Sequence, residues 1–179
     1  DNKDSNKHNG MKNRHIGGEN YGTLNMSTIK TAFNLVQNLI EGGTIITGHD
    51  CSDGGLFTCI AEMAFAGNCG VCITIPSFIP TDYASLYILN DHVGLIIQVL
   101  NDNTQYTLDY LNDQGVFAYP IGIPIDSNKI IVQQHNTEIN RKTTYYTHDM
   151  TYLRSKWELT SHKLELLQCN PRCATEEYE

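Results

Sequence analysis

The chain has 179 residues, 40% of them hydrophobic, and a formal net charge of −8 at pH 7. This acidic balance argues against a nucleic-acid surface, because non-specific affinity for DNA or RNA depends on Lys and Arg side chains that neutralise phosphates. No apolar run is long enough to cross a membrane, and no signal peptide is visible. Six irregularly spaced cysteines indicate reduced thiols, so we expect a cytoplasmic protein with no membrane partner.

The composition changes at about residue 25. Residues 1–24 are rich in Asn, Lys, Gly and Asp and carry few large apolar side chains. They cannot bury enough surface to offset the entropy lost on ordering, so we predict a flexible tail or insertion. We expect its His8 and His15 to be solvated rather than metal ligands. Residues 25–179 are expected to form a single domain around one core.

The ordered region is predicted to start as helix, strand, helix, strand. Apolar residues at helical spacing predict a helix from Ser27 to Gly42-Gly43, followed by a short buried strand at 44–47. A second helix is predicted at 56–65 and a second strand at 71–75. The residues predicted to face the core from these two helices are Ile29, Ala32, Phe33, Val36 and Ile40, then Leu56, Ile60, Met63 and Ala64.

The remaining elements are predicted to complete one sheet. The nearly continuous apolar run at 93–100 predicts a central strand that anchors it, and a helix ending at Gly115 follows. Strands at 117–125 and 129–132 are predicted to form a hairpin. A last helix at 151–168 is predicted to place Leu153, Trp157, Leu164 and Leu167 on one side, with Trp157 in packing. Helices interleaved with hairpin strands indicate an α+β fold, a mixed α/β sandwich in which helices cover a mixed sheet.

The turn between the first strand and the second helix carries the candidate chemistry. It reads His49-Asp50-Cys51-Ser52-Asp53-Gly54-Gly55. Two glycines let backbone N–H groups approach a ligand, and the start of a helix favours anions. Two carboxylates would repel a bare phosphate, but Mg²⁺ takes carboxylate and phosphate oxygens together. The alternative is structural, with Ser52 or Asp53 as an N-cap and the glycines as a tight turn.

Two blocks of sequence resemble the synthetase region of the phosphoribosylformylglycinamidine synthase family. The first contains HDCSDGGL, from His49 to Leu56, and EMAFAGNCG, from Glu62 to Gly70. The second lies about a hundred residues downstream, and its matching positions are Leu153, Arg154, Trp157, Thr160, Asn170, Pro171, Cys173, Ala174 and Glu177. The resemblance covers roughly residues 27–178 and implies the C-terminal type of domain found in the aminoimidazole ribonucleotide synthetase superfamily.

The resemblance also implies an activity for a larger polypeptide. That family converts formylglycinamide ribonucleotide, ATP and glutamine to formylglycinamidine ribonucleotide, ADP, phosphate and glutamate. By resemblance, Asp50 would bind Mg²⁺, Ser52 would contact phosphate, and Asp53, Gly54 and Gly55 would shape a nucleotide site. This site would be an auxiliary one, shared with an absent domain. The expected partners are the remaining synthetase and glutaminase domains of the same polypeptide, and no catalytic residue is assigned in this chain.

The sequence departs from the family pattern at two places. Cys51 stands where arginine is common, and residues 89–94 read LNDHVG where L/F-x-E-E-x-G is common, which places His92 at the second acidic position. The roles of Cys51, His92 and His49 therefore stay open. We expect His49 to be a hydrogen-bonded packing residue rather than a general base.

The sequence leaves three alternative functions open. One is another ATP-dependent enzyme of the same superfamily, and another is a non-catalytic regulatory fragment. The third is a zinc-binding interaction module in which Cys69, Cys72, Cys169 and Cys173 supply four thiolates. The spacing signal for zinc is weak, and buried thiols commonly behave as small hydrophobes.

Overall fold

The computed structural model describes residues 26–91, 93–136 and 141–178. The segment 1–24, for which we predict flexibility, and His92 lie outside these residues. Within them the chain forms helices α1 (Met26–Glu41), α2 (Gly55–Gly67), α3 (Ala84–Leu89), α4 (Thr104–Asp113), α5 (Met150–Gln168) and α6 (Pro171–Tyr178). The strands are β1 (Ile45–Asp50), β2 (Gly70–Ile75), β3 (Leu95–Val99), β4 (Gly122–Ile125), β5 (Lys129–Asn136) and β6 (Arg141–Asp149).

The described residues divide into two compact units. The first contains residues 26–59 and Ile79–Pro120, and the second contains Ile60–Phe78 and 121–178. Helix α2 begins in the first unit and ends in the second. The single domain for residues 25–179 stays a prediction.

The first unit is built on a two-stranded antiparallel sheet of β1 and β3. The pairing sets Asp50 opposite Leu95 and His49 opposite Ile96. Helices α1 and α4 supply a buried cluster of three leucines, Leu35, Leu39 and Leu111. Partly buried hydrophobic side chains pack against this cluster, namely Ile45, Ile97, Tyr110, Val116 and Ala118. This core holds the strand that leads into the candidate turn.

The second unit is built on a four-stranded mixed sheet in the order β4-β2-β5-β6. Strands β2 and β5 are parallel, while β4 and β6 pair antiparallel with them at the two edges. The central strands bury Ile73, Ile75, Ile130 and Val132 almost completely. These β-branched side chains lie on one face of the sheet, because Ile73 is paired with Val132 and side chains alternate along each strand.

Several helices begin or end at residues whose backbone or side-chain preferences suit a helix terminus. Helix α1 ends where Gly43 adopts a positive φ of 68°, and the Thr44 N–H donates to Leu39 O at 2.9 Å. Asn68, with φ of 46°, ends α2 in the same way. Helix α5 begins with Asp149 as its N-cap, and the Asp149 carboxylate accepts the Tyr152 N–H at 2.9 Å.

The structure confirms the mixed α/β class and corrects two strand predictions. The run at 93–100 does not form a central strand, because β3 pairs only with β1 within the described residues, and the Leu95 side chain is exposed. The prediction that residues 117–125 and 129–132 form a hairpin is also wrong. Strand β2 lies between β4 and β5, and residues 117–121 form no strand.

Two predicted helix faces need correction as well. On α1 the buried residues are Leu35 and Leu39, while Phe33 and Ile40 are exposed. On α5 the buried residue is Met150, and Leu164 and Leu167 are exposed. In both helices apolar residues occupy more than one face, so spacing alone did not identify the buried one. The predicted face of α2 is largely confirmed, with its Leu56, Ile60 and Ala64 buried and Met63 partly buried.

Candidate functional site

The candidate turn joins the end of β1 to the start of α2. Its backbone reverses direction at Gly54 and Gly55, whose φ angles are 87° and 71°. A residue with a Cβ adopts such angles only at a cost, so both positions favour glycine. The Gly55 N–H donates to Ser52 O at 3.0 Å and closes the turn.

Gly55 also lies against the segment that leads from α3 to β3. A Cβ at Gly55 would stand 2.7 Å from Asn90 O and 2.9 Å from Leu89 O, closer than real Cβ atoms come to backbone atoms. The Cys51 N–H donates to Gly94 O at 3.0 Å. The two stretches in which we noted departures from the family pattern, Cys51 and residues 89–94, are therefore in contact.

The acidic side chains of the turn face solvent. The Asp50 side chain is 76% exposed, and its Oδ1 lies 3.6 Å from His49 Nδ1. His49 Nδ1 lies 2.6 Å from Asp50 O. Ser52 and Asp53 are also exposed. Their oxygen atoms are therefore available to a ligand that approaches from outside the first unit.

The Ser52 side chain has a sulfur neighbour. Its Oγ lies 3.6 Å from Cys59 Sγ, and its backbone N–H donates to the same sulfur at 3.3 Å. An N-cap serine would instead accept a hydrogen bond from a backbone N–H in the first helical turn. The contact that the structure gives the Ser52 hydroxyl is thus not the capping contact of the structural alternative.

Cys51 lies beside these carboxylates in a partly buried position. Burial raises the pKa of its thiol above the ordinary value of 9.0, and the nearby Cys59 thiol and Asp50 carboxylate raise the pKa further. The Cys51 side chain therefore remains a neutral thiol at neutral pH. An arginine at this position would place a cation in the turn, whereas the thiol adds no charge to balance the carboxylates.

The exposed oxygen atoms are of the type that a magnesium ion carrying a nucleotide would take as ligands. Mg²⁺ keeps several of its waters and takes one or two protein carboxylates together with phosphate oxygens. Asp50 and Asp53 offer such carboxylates beside the start of α2, where the helix dipole favours phosphate. Among the described residues, no three His, Cys, Asp or Glu side chains form a group that could hold a metal ion. Any magnesium bound here would need ligands from phosphate, water or another domain.

Gly54 and Gly55 form a tight turn, as the structural alternative predicts, and Gly55 also makes a close backbone approach that the sequence reasoning did not include. The Gly55 N–H is used inside the turn, and the space for its Cβ is filled by backbone from Leu89 and Asn90. A Cβ on Gly54 would meet the Thr58 hydroxyl, which donates to Gly54 O at 2.9 Å. Their contact with a nucleotide stays a prediction.

The second motif block lies in the other unit and contacts the first half of EMAFAGNCG. Trp157 of α5 donates from Nε1 to Glu62 Oε1 at 2.8 Å, and its ring lies 5.9 Å from that of Phe65. The Trp157 side chain is 55% exposed. The two blocks, far apart in the sequence, thus meet within the second unit, and Trp157 takes part in packing as predicted.

The four cysteines of the zinc alternative are free thiols. Cys69 and Cys72 are partly buried, while Cys169 and Cys173 are exposed. In the described part of the chain, no helix is both long and apolar enough to cross a membrane.

Comparison with known proteins assigns the chain to a family. Residues 9–135 match the family model described as AIR synthase related protein, C-terminal domain. This match covers the candidate turn and ends before the block that contains Trp157. It also covers more than half of the chain.

Solved structures of Thermotoga maritima proteins share the fold. A PurL complexed with ATP matches with a TM-score of 0.58 and 13% identity over 68% of this chain. A PurL complexed with FGAR matches with a TM-score of 0.58 and 12% identity over 69% of the chain. Phosphoribosylformylglycinamidine synthase II has a TM-score of 0.58 and 13% identity over 68% of the chain. This chain spans only 20% of each of these proteins.

Proposed function

The chain belongs to the family of AIR synthase related proteins, C-terminal domain, and we propose that it is one part of a phosphoribosylformylglycinamidine synthase. In this proposal the complete polypeptide converts formylglycinamide ribonucleotide, ATP and glutamine to formylglycinamidine ribonucleotide, ADP, phosphate and glutamate in the cytoplasm. The present chain supplies half of a magnesium-nucleotide site. Its partners are the remaining synthetase and glutaminase domains.

Three observations support this assignment within the family. The fold is similar to that of T. maritima proteins described as PurL and as phosphoribosylformylglycinamidine synthase II. The chain carries both sequence blocks that resemble this enzyme family, and Glu62 and Trp157 of these blocks are hydrogen bonded. The chain also spans about a fifth of those proteins, which fits one part of a larger synthetase.

The observation that carries the site proposal is the exposed carboxylate of Asp50 beside the start of α2. Asp50 would bind Mg²⁺ directly or through water, and the Ser52 hydroxyl would donate to a phosphate oxygen. The bound magnesium would neutralise phosphate charge next to two carboxylates. Asp53 would contribute a second acidic group, and Gly54 and Gly55 would hold the turn in the required shape.

The exposure of these side chains supports the proposal that the site is completed by another domain. The Asp50, Ser52 and Asp53 side chains are exposed rather than arranged in a closed cavity. Enclosing a nucleotide normally takes a pocket that buries most of the ligand surface. A second domain placed over the turn would supply the missing wall, and the site would then hold the auxiliary nucleotide that the family resemblance implies.

Calorimetry of magnesium-dependent ADP and ATP binding tests the proposal. It would compare this chain, the full-length polypeptide, and both carrying Asp50→Asn. We expect measurable binding only in the full-length protein and at least about tenfold weaker binding after Asp50→Asn, since a neutral amide is a poorer magnesium ligand. Asp113→Asn, at the exposed end of α4, is the matched control. Binding that does not respond to Asp50→Asn would show that the turn is structural.

A further inference from the structure

We propose that two copies of this chain associate through their α1 helices, packed antiparallel. The contact surface is a row of apolar side chains on α1, which we call the α1 stripe. It consists of Met26, Ile29, Phe33, Val36 and Ile40. The proposal is independent of the nucleotide site, because it involves no residue of the candidate turn.

The α1 stripe is open to solvent along most of the helix. Met26 is 72% exposed, Phe33 60% and Ile40 48%, and of the remaining two residues one is exposed and one is partly buried. The core of the first unit takes Leu35 and Leu39 from a different face of α1. A continuous row of exposed apolar side chains, unlike a single one, marks a surface for protein contact.

The spacing of the α1 stripe indicates that its partner is a helix. Successive residues of the stripe are separated by three, four, three and four positions. This alternation lets the apolar side chains of one helix interlock with those of a second helix. The stripe runs about 21 Å along the helix axis, which is long enough for several such layers.

The charges of α1 favour a second copy of the chain as that partner. Lys30 and Glu41 are the only charged residues of α1, and both are exposed. The stripe therefore lies on a helix with no net charge, although the whole chain has a formal net charge of −8. Two copies can meet at this face without the like-charge repulsion that opposes contact elsewhere.

The positions of the two charges favour the antiparallel orientation. Glu41 is the last residue of α1, where the dipole of its own helix disfavours an anion. Beside an antiparallel copy, Glu41 lies near the N-terminal half of the other α1, where the dipole and Lys30 both attract a carboxylate. The same contact is made twice, because a two-fold axis relates the two copies.

One register satisfies the apolar and the charged residues together. With Phe33 of one copy against Val36 of the other, Ile29 of each copy meets Ile40 of the other. The two positions in each of these pairs add to the same number, as an antiparallel register requires. Lys30 then lies within one helical turn of Glu41 of the other copy, on the same flank of the stripe.

Two other occupants fit the α1 stripe less well. Residues 1–24 precede the helix but carry few large apolar side chains, so they offer little to cover a row of five. A helix from another part of a longer polypeptide would match the spacing, but its affinity would not depend on a pairing between Lys30 and Glu41. The charge-reversal variants described below distinguish it from a second copy.

Sedimentation velocity of the 179-residue chain tests the proposal. From about 1 μM to about 200 μM, in about 50 mM salt, the dimer fraction should rise with concentration. Phe33→Glu should weaken the dimer at least about tenfold, because it places a charge in the centre of the contact. Leu167→Glu is the matched control, since Leu167 is an 85% exposed apolar residue on a helix of the other unit. Circular dichroism would check that each variant is folded.

Charge reversal tests the antiparallel register. Lys30→Glu and Glu41→Lys should each weaken the dimer about threefold, since each places like charges together, and the double variant should recover the wild-type affinity. These differences should disappear in about 500 mM salt. The proposal is overturned by a chain that is monomeric at every concentration, by a dimer that Phe33→Glu leaves intact, or by a double variant that shows no recovery.

Discussion

At the scale of single residues, the candidate turn depends on how closely its backbone approaches a neighbouring segment. Gly43 and Gly55 have nearly the same φ, 68° and 71°. Nothing lies within 4 Å of a Cβ built on Gly43, whereas one on Gly55 would meet backbone atoms of Leu89 and Asn90 at 2.7–2.9 Å. Substituting each glycine in turn therefore distinguishes two contributions to the loss of unfolding free energy, the unfavourable backbone conformation and the steric overlap.

We predict that Gly55→Ala destabilises the chain more than Gly43→Ala does. The conformational penalty, about 1 kcal/mol, should be common to both. Overlap with backbone at Gly55 should add at least about 1 kcal/mol, since neither Leu89 nor Asn90 can move only a side-chain end to relieve it. Urea denaturation followed by circular dichroism measures both values, and equal losses of unfolding free energy would contradict the close approach.

The raised pKa of the Cys51 thiol gives a prediction for how the stability of the chain depends on pH. Burial raises the pKa of this thiol in the folded chain above its ordinary value of 9.0, so the folded state holds the proton more tightly than the unfolded state. The contribution to unfolding free energy is fully present below the ordinary pKa and is lost as pH rises through the raised value. The folded chain should therefore lose stability in alkaline solution.

Urea unfolding of the wild type and Cys51→Ser under reducing conditions measures this effect. The difference in unfolding free energy between the two should be constant from about pH 6 to pH 8 and shift against the wild type at higher pH. Ionisable groups that do not interact with Cys51 are common to both proteins and cancel in the comparison. If the unfolding free energies of the two proteins keep a constant difference into the alkaline range, ionisation of Cys51 does not destabilise the folded chain.

At the scale of elements, local signals identified the part of the chain around the site. Apolar spacing and the glycine pairs predicted α1, β1, the turn and α2 in the right order, because both helices and the turn are marked by residues that adopt positive φ. The prediction that β1 is buried was wrong, since most of its residues are exposed. Gly43 and Asn68 end their helices with positive φ. The turn itself was found from the carboxylates and glycines that follow a short apolar strand.

Pairing between distant strands could not be read in the same way. The Val93–Leu100 run is apolar enough for a central strand, yet β3 pairs only with β1 in the described structure. The Asp126-Ser127-Asn128 turn suggested a hairpin, but β2 occupies the place between β4 and β5. Sequence spacing reports the local turn, whereas the choice of partner strand depends on side-chain packing across the whole sheet.

Three elements, α3, β6 and α6, were not predicted because their signals are weak. Strand β6 carries polar and aromatic residues, RKTTYYTHD, and lies at an edge where it needs only one partner. Helix α6 has only eight residues, PRCATEEY. In the structure Tyr178 Oη donates to Ser155 O at 2.9 Å, and the Tyr178 ring stacks on His162 at 4.0 Å.

The contact between α2 and α5 gives a prediction for the two motif blocks. Trp157→Phe keeps an aromatic ring against Phe65 but removes the Nε1 donor to Glu62. We expect a loss of about 0.5–1 kcal/mol for the hydrogen bond, and about 2 kcal/mol for Trp157→Ala, which removes the ring as well. Unfolding should be followed by circular dichroism rather than by tryptophan fluorescence. Both substitutions remove Trp157, and the chain has one tryptophan.

A double-mutant cycle isolates this pair, because Glu62 has further contacts of its own. In the Glu62→Leu background, Trp157→Phe should cost less than in the wild type, since the acceptor is already absent. Strictly additive losses in the cycle would mean that the hydrogen bond contributes nothing and that Trp157 acts through packing alone.

At the scale of the whole molecule, the chain is short relative to the reaction that we propose. It spans 20% of the T. maritima proteins whose fold it shares. The candidate turn presents exposed oxygen atoms, and the described residues contain no group of three or more potential metal ligands. Binding and turnover would thus both depend on groups that other parts of the polypeptide bring to the turn.

We predict that this chain alone shows no synthetase activity with formylglycinamide ribonucleotide, MgATP and glutamine or ammonia, while the full-length polypeptide does. Phosphoryl transfer needs the nucleotide, metal and acceptor to be positioned together, and one exposed turn positions at most part of the nucleotide. Release of ADP and formation of the amidine product measure the two steps separately. ADP release by the isolated chain that is lost on Asp50→Asn would overturn the idea of half a site, because a contaminating enzyme would not respond to a substitution in this chain.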